Sequence, residues 1–200
     1  MRRLLFAAAA IAAAALLQPA ALGARFTKGA APAQAKPAQA KPEPAPVLVV
    51  TTSKGVIEIE MFPAEAPKSV ARIVELAKQH FYRGTRFHWV QPAVVQFGDQ
   101  LSRDMTKKDQ WGSGGSGLRQ ANRPIGVAEF SKRKFERGIV GYAYRTNYKP
   151  ETADSQLFIM KFPNPALNGK YAVIGRVIGK GMAVVDKIEA DDMIKDCSIK

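Results

Sequence analysis

The sequence predicts a mainly β domain, folded as a sandwich or a closed barrel. Short apolar stretches recur between residues 47 and 199 and are separated by turn residues. Two segments carry helical spacing, and strands and helices do not alternate in the regular way that a parallel α/β sheet requires. The connections are rich in glycine, as tight turns between neighbouring strands demand.

Residues 47–51 read as the first strand, and Ser53-Lys54-Gly55 supplies turn chemistry. Residues 56–61 alternate, with Ile57, Ile59 and Met61 on one face and Glu58 and Glu60 on the other, which predicts a half-buried strand paired as a hairpin. Pro67 suits the first turn of a helix, and Val70, Ile73, Val74 and Ala77 place one apolar face along residues 67–79. Residues 86–90 and 94–97 read as strands flanking Pro92, and 110–124 as a Gly-rich loop. Strands follow at 138–144, 155–160 and 171–177, then a second helix at 182–189. A last strand at 193–199 is expected to pair with the first and close the sheet.

Ahead of this body lie two segments of different composition. Arg2 and Arg3 precede an unbroken apolar run from Leu4 to Leu17, which Pro19 breaks, and Ala21-Leu22-Gly23 offers small residues for cleavage. Fourteen apolar residues are short for a membrane span, which needs roughly 20. Residues 1–23 therefore read as a signal peptide and the protein as periplasmic or secreted, with an uncleaved anchor as the alternative. Residues 24–46 repeat Pro-Ala-Gln-Ala-Lys and read as a polyproline-II linker, leaving one domain at 47–200.

The formal charge is +13, and +11 without the two leader arginines, so the mature surface favours anionic partners, including weak attraction to envelope surfaces. Nucleic acid is not expected as a partner. The basic residues are spread apart from Ser131–Arg137, which reads as a solvated loop, and export argues against it. Gly112–Gly117 lacks the Lys-Ser/Thr ending of a phosphate loop. Cys197 is the single cysteine and reads as a small buried residue. Two histidines and one cysteine make a poor metal set.

The central stretch Phe81-Tyr82-Arg83-Gly84-Thr85-Arg86-Phe87-His88-Trp89-Val90-Gln91-Pro92, with Gln96-Phe97-Gly98-Asp99 after it, resembles the cyclophilin signature. Ser155-Gln156-Leu157-Phe158-Ile159 resembles that family's S-Q-F-F-I, and the run from Leu167 to Val177 resembles its L-D-G-x-[HY]-x-V-F-G-x-V. Gly181 to Ile188 fits its helix, and Thr52–Gly55 and Ala66–Val70 its opening. The resemblance covers roughly 47–200 in order. It implies a closed eight-stranded antiparallel barrel capped by two α-helices, with a ligand groove on the outside of the wall. It implies peptidyl-prolyl cis–trans isomerisation without a cofactor, on proline-containing segments of unfolded or exported proteins, by a monomer.

Carried over position by position, the resemblance places Phe158 and Leu167 in the proline pocket and Gln96 on the substrate backbone. Ala143 falls beside the residue preceding the proline, and Tyr171 where the family has His or Tyr. His88 is placed among the substrate-binding residues, as a structural histidine rather than a general base. One position departs. The arginine that follows F-H in the family is Trp89 here, a single neutral N–H donor in place of five charged ones. The segment Pro92–Gln96 is also one residue short, so a large pocket Phe becomes Ala93 or Val94. Arg86 falls on the opposite strand face, whereas Arg145 follows the Ala143 strand and could reach the groove. These features predict an isomerase of reduced or altered activity, or a non-catalytic chaperone or scaffold that grips proline segments.

Overall fold

The computed structural model describes residues 44–117, 125–144 and 149–200. The leader, linker residues 24–43, part of the Gly-rich loop and Arg145 lie outside the described residues.

Eight strands form one antiparallel sheet: β1 (Val47–Thr52), β2 (Val56–Met61), β3 (Trp89–Gln91), β4 (Val94–Phe97), β5 (Ile139–Tyr142), β6 (Leu157–Met160), β7 (Ala172–Ile178) and β8 (Ile194–Ile199). Their order across the sheet is β3-β4-β6-β5-β7-β2-β1-β8. β8 pairs with β1 as expected, from Leu48↔Ile199 to Thr52↔Ile194. The expected closure does not follow, and the sheet is an open half-barrel. Its edge strands β3 and β8 share no ladder; the gap between them is spanned by a single bridge, Arg86↔Met193, and by hydrogen bonds such as Ile194 N to Thr85 O, 2.8 Å. The physical reason is local. The strand expected over 86–90 shrinks to Trp89–Gln91, between a left-handed turn at Gly84 (φ 79°) and the Pro92 turn.

Alternation gives the sheet two faces. The inner face carries Leu48, Val50, Ile57, Ile59, Val95, Phe97, Val140, Leu157, Ile159 and Ile174, all buried. Helix α1 (Pro67–Lys78) buries Val70, Ile73, Leu76 and Ala77 in that core. The shorter α2 (Gly181–Val185) buries Val185 there; its five residues stop short of the helix expected at 182–189. Cys197 is buried in the same core.

The start of α1 has no side-chain cap of its own. Glu129 supplies one from a distant segment: its carboxylate accepts from Lys68 N (2.9 Å), Ser69 N (2.8 Å) and Ser69 Oγ (2.7 Å). A negative charge at a helix N-terminus satisfies orphan donors and complements the helix dipole. Further along the helix, Arg72 is largely buried and donates to Asp154 Oδ1 (3.0 Å) and Ser116 Oγ (2.8 Å). Asp154 also accepts from Ser116 N and Oγ. The helix thus holds both the Gly-rich loop and the entry to β6.

Candidate functional site

A second apolar cluster lies on the outer face of the same sheet. It comprises Phe135, Ala143, Phe158, Met160 and Val173, with Phe62, Val94, Ile139, Leu167 and Tyr171 packed against it. β6 is therefore buried on both faces, which explains its unbroken Leu-Phe-Ile-Met run. Five residues foreseen from the sequence, Val94, Ala143, Phe158, Leu167 and Tyr171, come together in this one cluster.

Register arranges the site in a straight row. Trp89 on β3 faces Gln96 on β4, Gln96 faces Phe158 on β6, Phe158 faces Gly141 on β5, and Gly141 faces Val173 on β7. Cross-strand partners project to the same side, so these five positions form one rung across the outer wall. Gly141 is required there. A Cβ on it would lie 2.2 Å from Phe158 Cζ, so the Phe158 ring rests flat over the β5 backbone. Phe135 stacks on the ring at 5.5 Å, and Tyr171 meets it edge-on at 5.4 Å. Tyr144 packs against Tyr171 in turn, at 4.7 Å. Burial, followed by the neighbouring Tyr144, raises the Tyr171 hydroxyl above its ordinary pKa, so it stays a neutral donor.

Gln96 is oriented from behind. Its Nε2 donates to Gln156 Oε1 (2.7 Å), and Gln156 Nε2 donates to the carbonyls of Gly114 (2.7 Å) and Gly112 (3.2 Å). Those two glycines donate back to the fully buried Asp99 carboxylate, which also accepts from Leu101 N. With its amide nitrogen engaged, Gln96 presents its carbonyl oxygen as the acceptor. A Cβ on Gly114 would lie 2.3 Å from Asp99 Oδ1, so a side chain there would break this chain of contacts.

His88 has both ring nitrogens buried and, among the described residues, without a well-formed hydrogen bond. Burial lowers its pKa below 6.5; Asp99, the backbone at Arg86 and the Gln156 side chain act more weakly in the opposite direction. It is a neutral ring within the wall. Trp89 is half exposed, at 50%. Arg86 is turned away, its Nη1 donating to Asp191 O at 2.9 Å. Of the two residues that could follow the shortened Pro92 segment, Val94 joins the cluster, while the Ala93 carbonyl accepts from Lys161 N.

Among the members that sequence reasoning missed, three are instructive. Phe135 lies within the basic run read as a solvated loop, yet it is 1% exposed, a correction to that reading. The flanking charges do face outward: Arg133 pairs with Glu65, and Arg137 with Asp186. Gln156 stood in a quoted motif without a role. Gly141 carried a usable signal, because glycine inside a strand marks a close approach.

The rung and its cluster carry no charged side chain; Phe158 is buried, and the half-buried Val94, Leu167 and Tyr171 with the Gln96 amide are the part that reaches the surface. Such a surface can hold an apolar ring and a peptide backbone, and it needs no proton transfer to act on either. Comparison with known proteins agrees with the geometry. The family model for cyclophilin type peptidyl-prolyl cis-trans isomerases matches residues 47–199. A probable peptidyl-prolyl cis-trans isomerase of Brucella suis is 38% identical over 162 residues, covering 79% of this chain and 79% of that protein. A peptidyl-prolyl cis-trans isomerase of Helicobacter pylori is 31% identical over 147 residues, covering 73% and 82%. The crystal structure of a Cryptosporidium parvum cyclophilin type isomerase in the presence of the dipeptide Ala-Pro superposes with a TM-score of 0.64. It is 25% identical, and the match covers 77% of this chain and 98% of that one. With the half-barrel and the family model falling on the same residues, the chain belongs to the cyclophilin-type peptidyl-prolyl cis–trans isomerase family and is an enzyme of that class.

Proposed function

We propose that the protein isomerises X–Pro bonds of exported proteins in the periplasm or outside the cell, as a monomer, at a rate below that of family members that keep the arginine. The observation that carries this reading is the outer-face rung, in which an apolar ring floor (Phe158) and an amide acceptor (Gln96) stand beside a neutral indole (Trp89).

Rotation about the prolyl bond meets a barrier of about 18–20 kcal/mol. Catalysis needs no bond made or broken; it needs the twisted amide held better than either planar form. Phe158, Leu167, Val94 and Tyr171 hold the proline ring, Ala143 leaves room for the preceding residue, and Gln96 Oε1 accepts a backbone N–H of the substrate. As conjugation is lost, the lone pair localises on the prolyl nitrogen, where a donor stabilises it. Trp89 has one neutral N–H to offer there. The apolar floor and the acceptor preserve binding, while the weak donor lowers the rate. The basic surface adds a weak attraction to anionic envelope surfaces.

The neutral indole also favours a second reading, a chaperone or scaffold that grips proline segments without turnover. Exchange spectroscopy on an X–Pro peptide separates the two. Exchange faster than in buffer is the expected result. Binding with exchange no faster than uncatalysed would sink the catalytic reading and leave the scaffold.

A further inference from the structure

We infer that Trp89 is a specificity-determining platform, selecting segments in which an aromatic residue directly follows the proline. This rests on the proline-groove reading above.

Trp89 is a large indole, half exposed on the same sheet face as Phe158, and the two positions are separated by one strand. Two strand spacings put them about 10 Å apart. With a proline ring on Phe158, Ala143 lies on the β5 side and takes the preceding residue. The chain then leaves over Gln96, toward Trp89. One Cα–Cα step of about 3.8 Å plus the length of an aromatic side chain spans that separation.

The chemistry there selects an apolar aromatic partner. The outer-face cluster and the rung are uncharged. Arg86 is bound to Asp191 O. Arg133 lies over the Phe62 ring at 4.1 Å and is tied to Glu65. An exposed indole face therefore meets the following residue by ring packing, and no charged side chain among the described residues of the rung or its cluster competes with it.

Calorimetric titration of the protein with Ala-Ala-Pro-Phe, Ala-Ala-Pro-Ala, Ala-Phe-Pro-Ala and Ala-Ala-Ala-Phe peptides tests this. The Pro-Phe peptide should bind about five-fold tighter than the Pro-Ala peptide, the increment of one aromatic contact. That ratio should persist in Trp89→Phe and fall to near one in Trp89→Leu. In a Trp111→Phe background, Trp89 fluorescence should shift with the Pro-Phe peptide. An unchanged ratio in Trp89→Leu, or a gain confined to Phe-Pro, overturns the inference and leaves the groove standing. Equal binding of the proline-free peptide overturns the groove reading itself, and the inference with it.

Discussion

Trp89 and Gln96 are cross-strand partners on the outer face, and Gln96 is in turn the partner of Phe158. The position where the resemblance leads one to expect an arginine therefore shares a rung with the Phe158 ring that is proposed as the proline floor. The scaffold around it is intact: Gln96 is oriented by Gln156, and Gln156 by the Gly112 and Gly114 carbonyls. Against the family pattern that the sequence resembles, two things differ: the donor, and the aromatic filling that Val94 replaces in the cluster.

Trp89→Arg should therefore raise kcat/KM on an X–Pro peptide, by roughly ten- to hundred-fold, the scale of one charged donor at a developing lone pair. The position is half exposed at a sheet edge, so a guanidinium can be accommodated without burial of its charge. An unchanged rate, with the thermal midpoint preserved, would show that the rung is not positioned for catalysis.

Three of the five rung positions, Trp89, Gln96 and Phe158, were legible beforehand because they sit in motifs, while strand alternation made the sheet's core face legible. The β2 pattern of Ile57, Ile59 and Met61 is visible in any window of that length. Phe158, Leu167 and Tyr171 could be found because they sit in motifs. Phe135 could not: its neighbours Lys132, Arg133, Lys134 and Arg137 make the segment read as solvated, and only its stacking on Phe158 reveals it as buried. The open edge was equally hidden, since it depends on how far β3 extends before Pro92. A one-sequence reading places the strand but not where its pairing stops.

Gly141→Ala should disable the site from within. Its Cβ would fall 2.2 Å from Phe158 Cζ, so the ring must lift from the sheet. Overpacking of this kind costs about 1–3 kcal/mol. The expected outcome is a modest fall in the thermal midpoint with a much larger loss of proline-peptide affinity. Retained affinity would mean that the Phe158 ring is not the proline floor.

Asp154→Leu should be destabilising. It removes the more buried of the two carboxylate partners of Arg72, where the two side chains are 5% and 11% exposed, and leaves the guanidinium with Glu75 at 2.8 Å. Breaking a buried pair outright costs about 3–5 kcal/mol, and the remaining Glu75 partner holds the cost below that range, whereas replacing both members by apolar residues is often neutral. Urea unfolding should therefore show the Arg72→Leu/Asp154→Leu double variant more stable than Asp154→Leu alone. A double variant as unstable as the single one would mean that Ser116, rather than the ion pair, is the important contact.

Stability should fall as the pH drops below about 6.5, and His88 should account for part of the fall. Its pKa is lowered in the folded state, chiefly by burial. Between the lowered folded value and 6.5, the unfolded chain therefore binds more protons than the native one. Stability rises with pH across that window, is fully present above 6.5, and is lost as the pH falls through the folded value. The slope from one such group is at most about 1.4 kcal/mol per pH unit. Both ring nitrogens are buried and make no well-formed hydrogen bond among the described residues, so His88→Phe should change stability at pH 7.5 little while flattening the profile between pH 6.5 and 5.5. Parallel urea titrations of the two proteins across that range measure the difference. Identical slopes would mean that His88 is protonated without cost, and that its place behind Gly112 and Gln156 is less closed than the packing indicates.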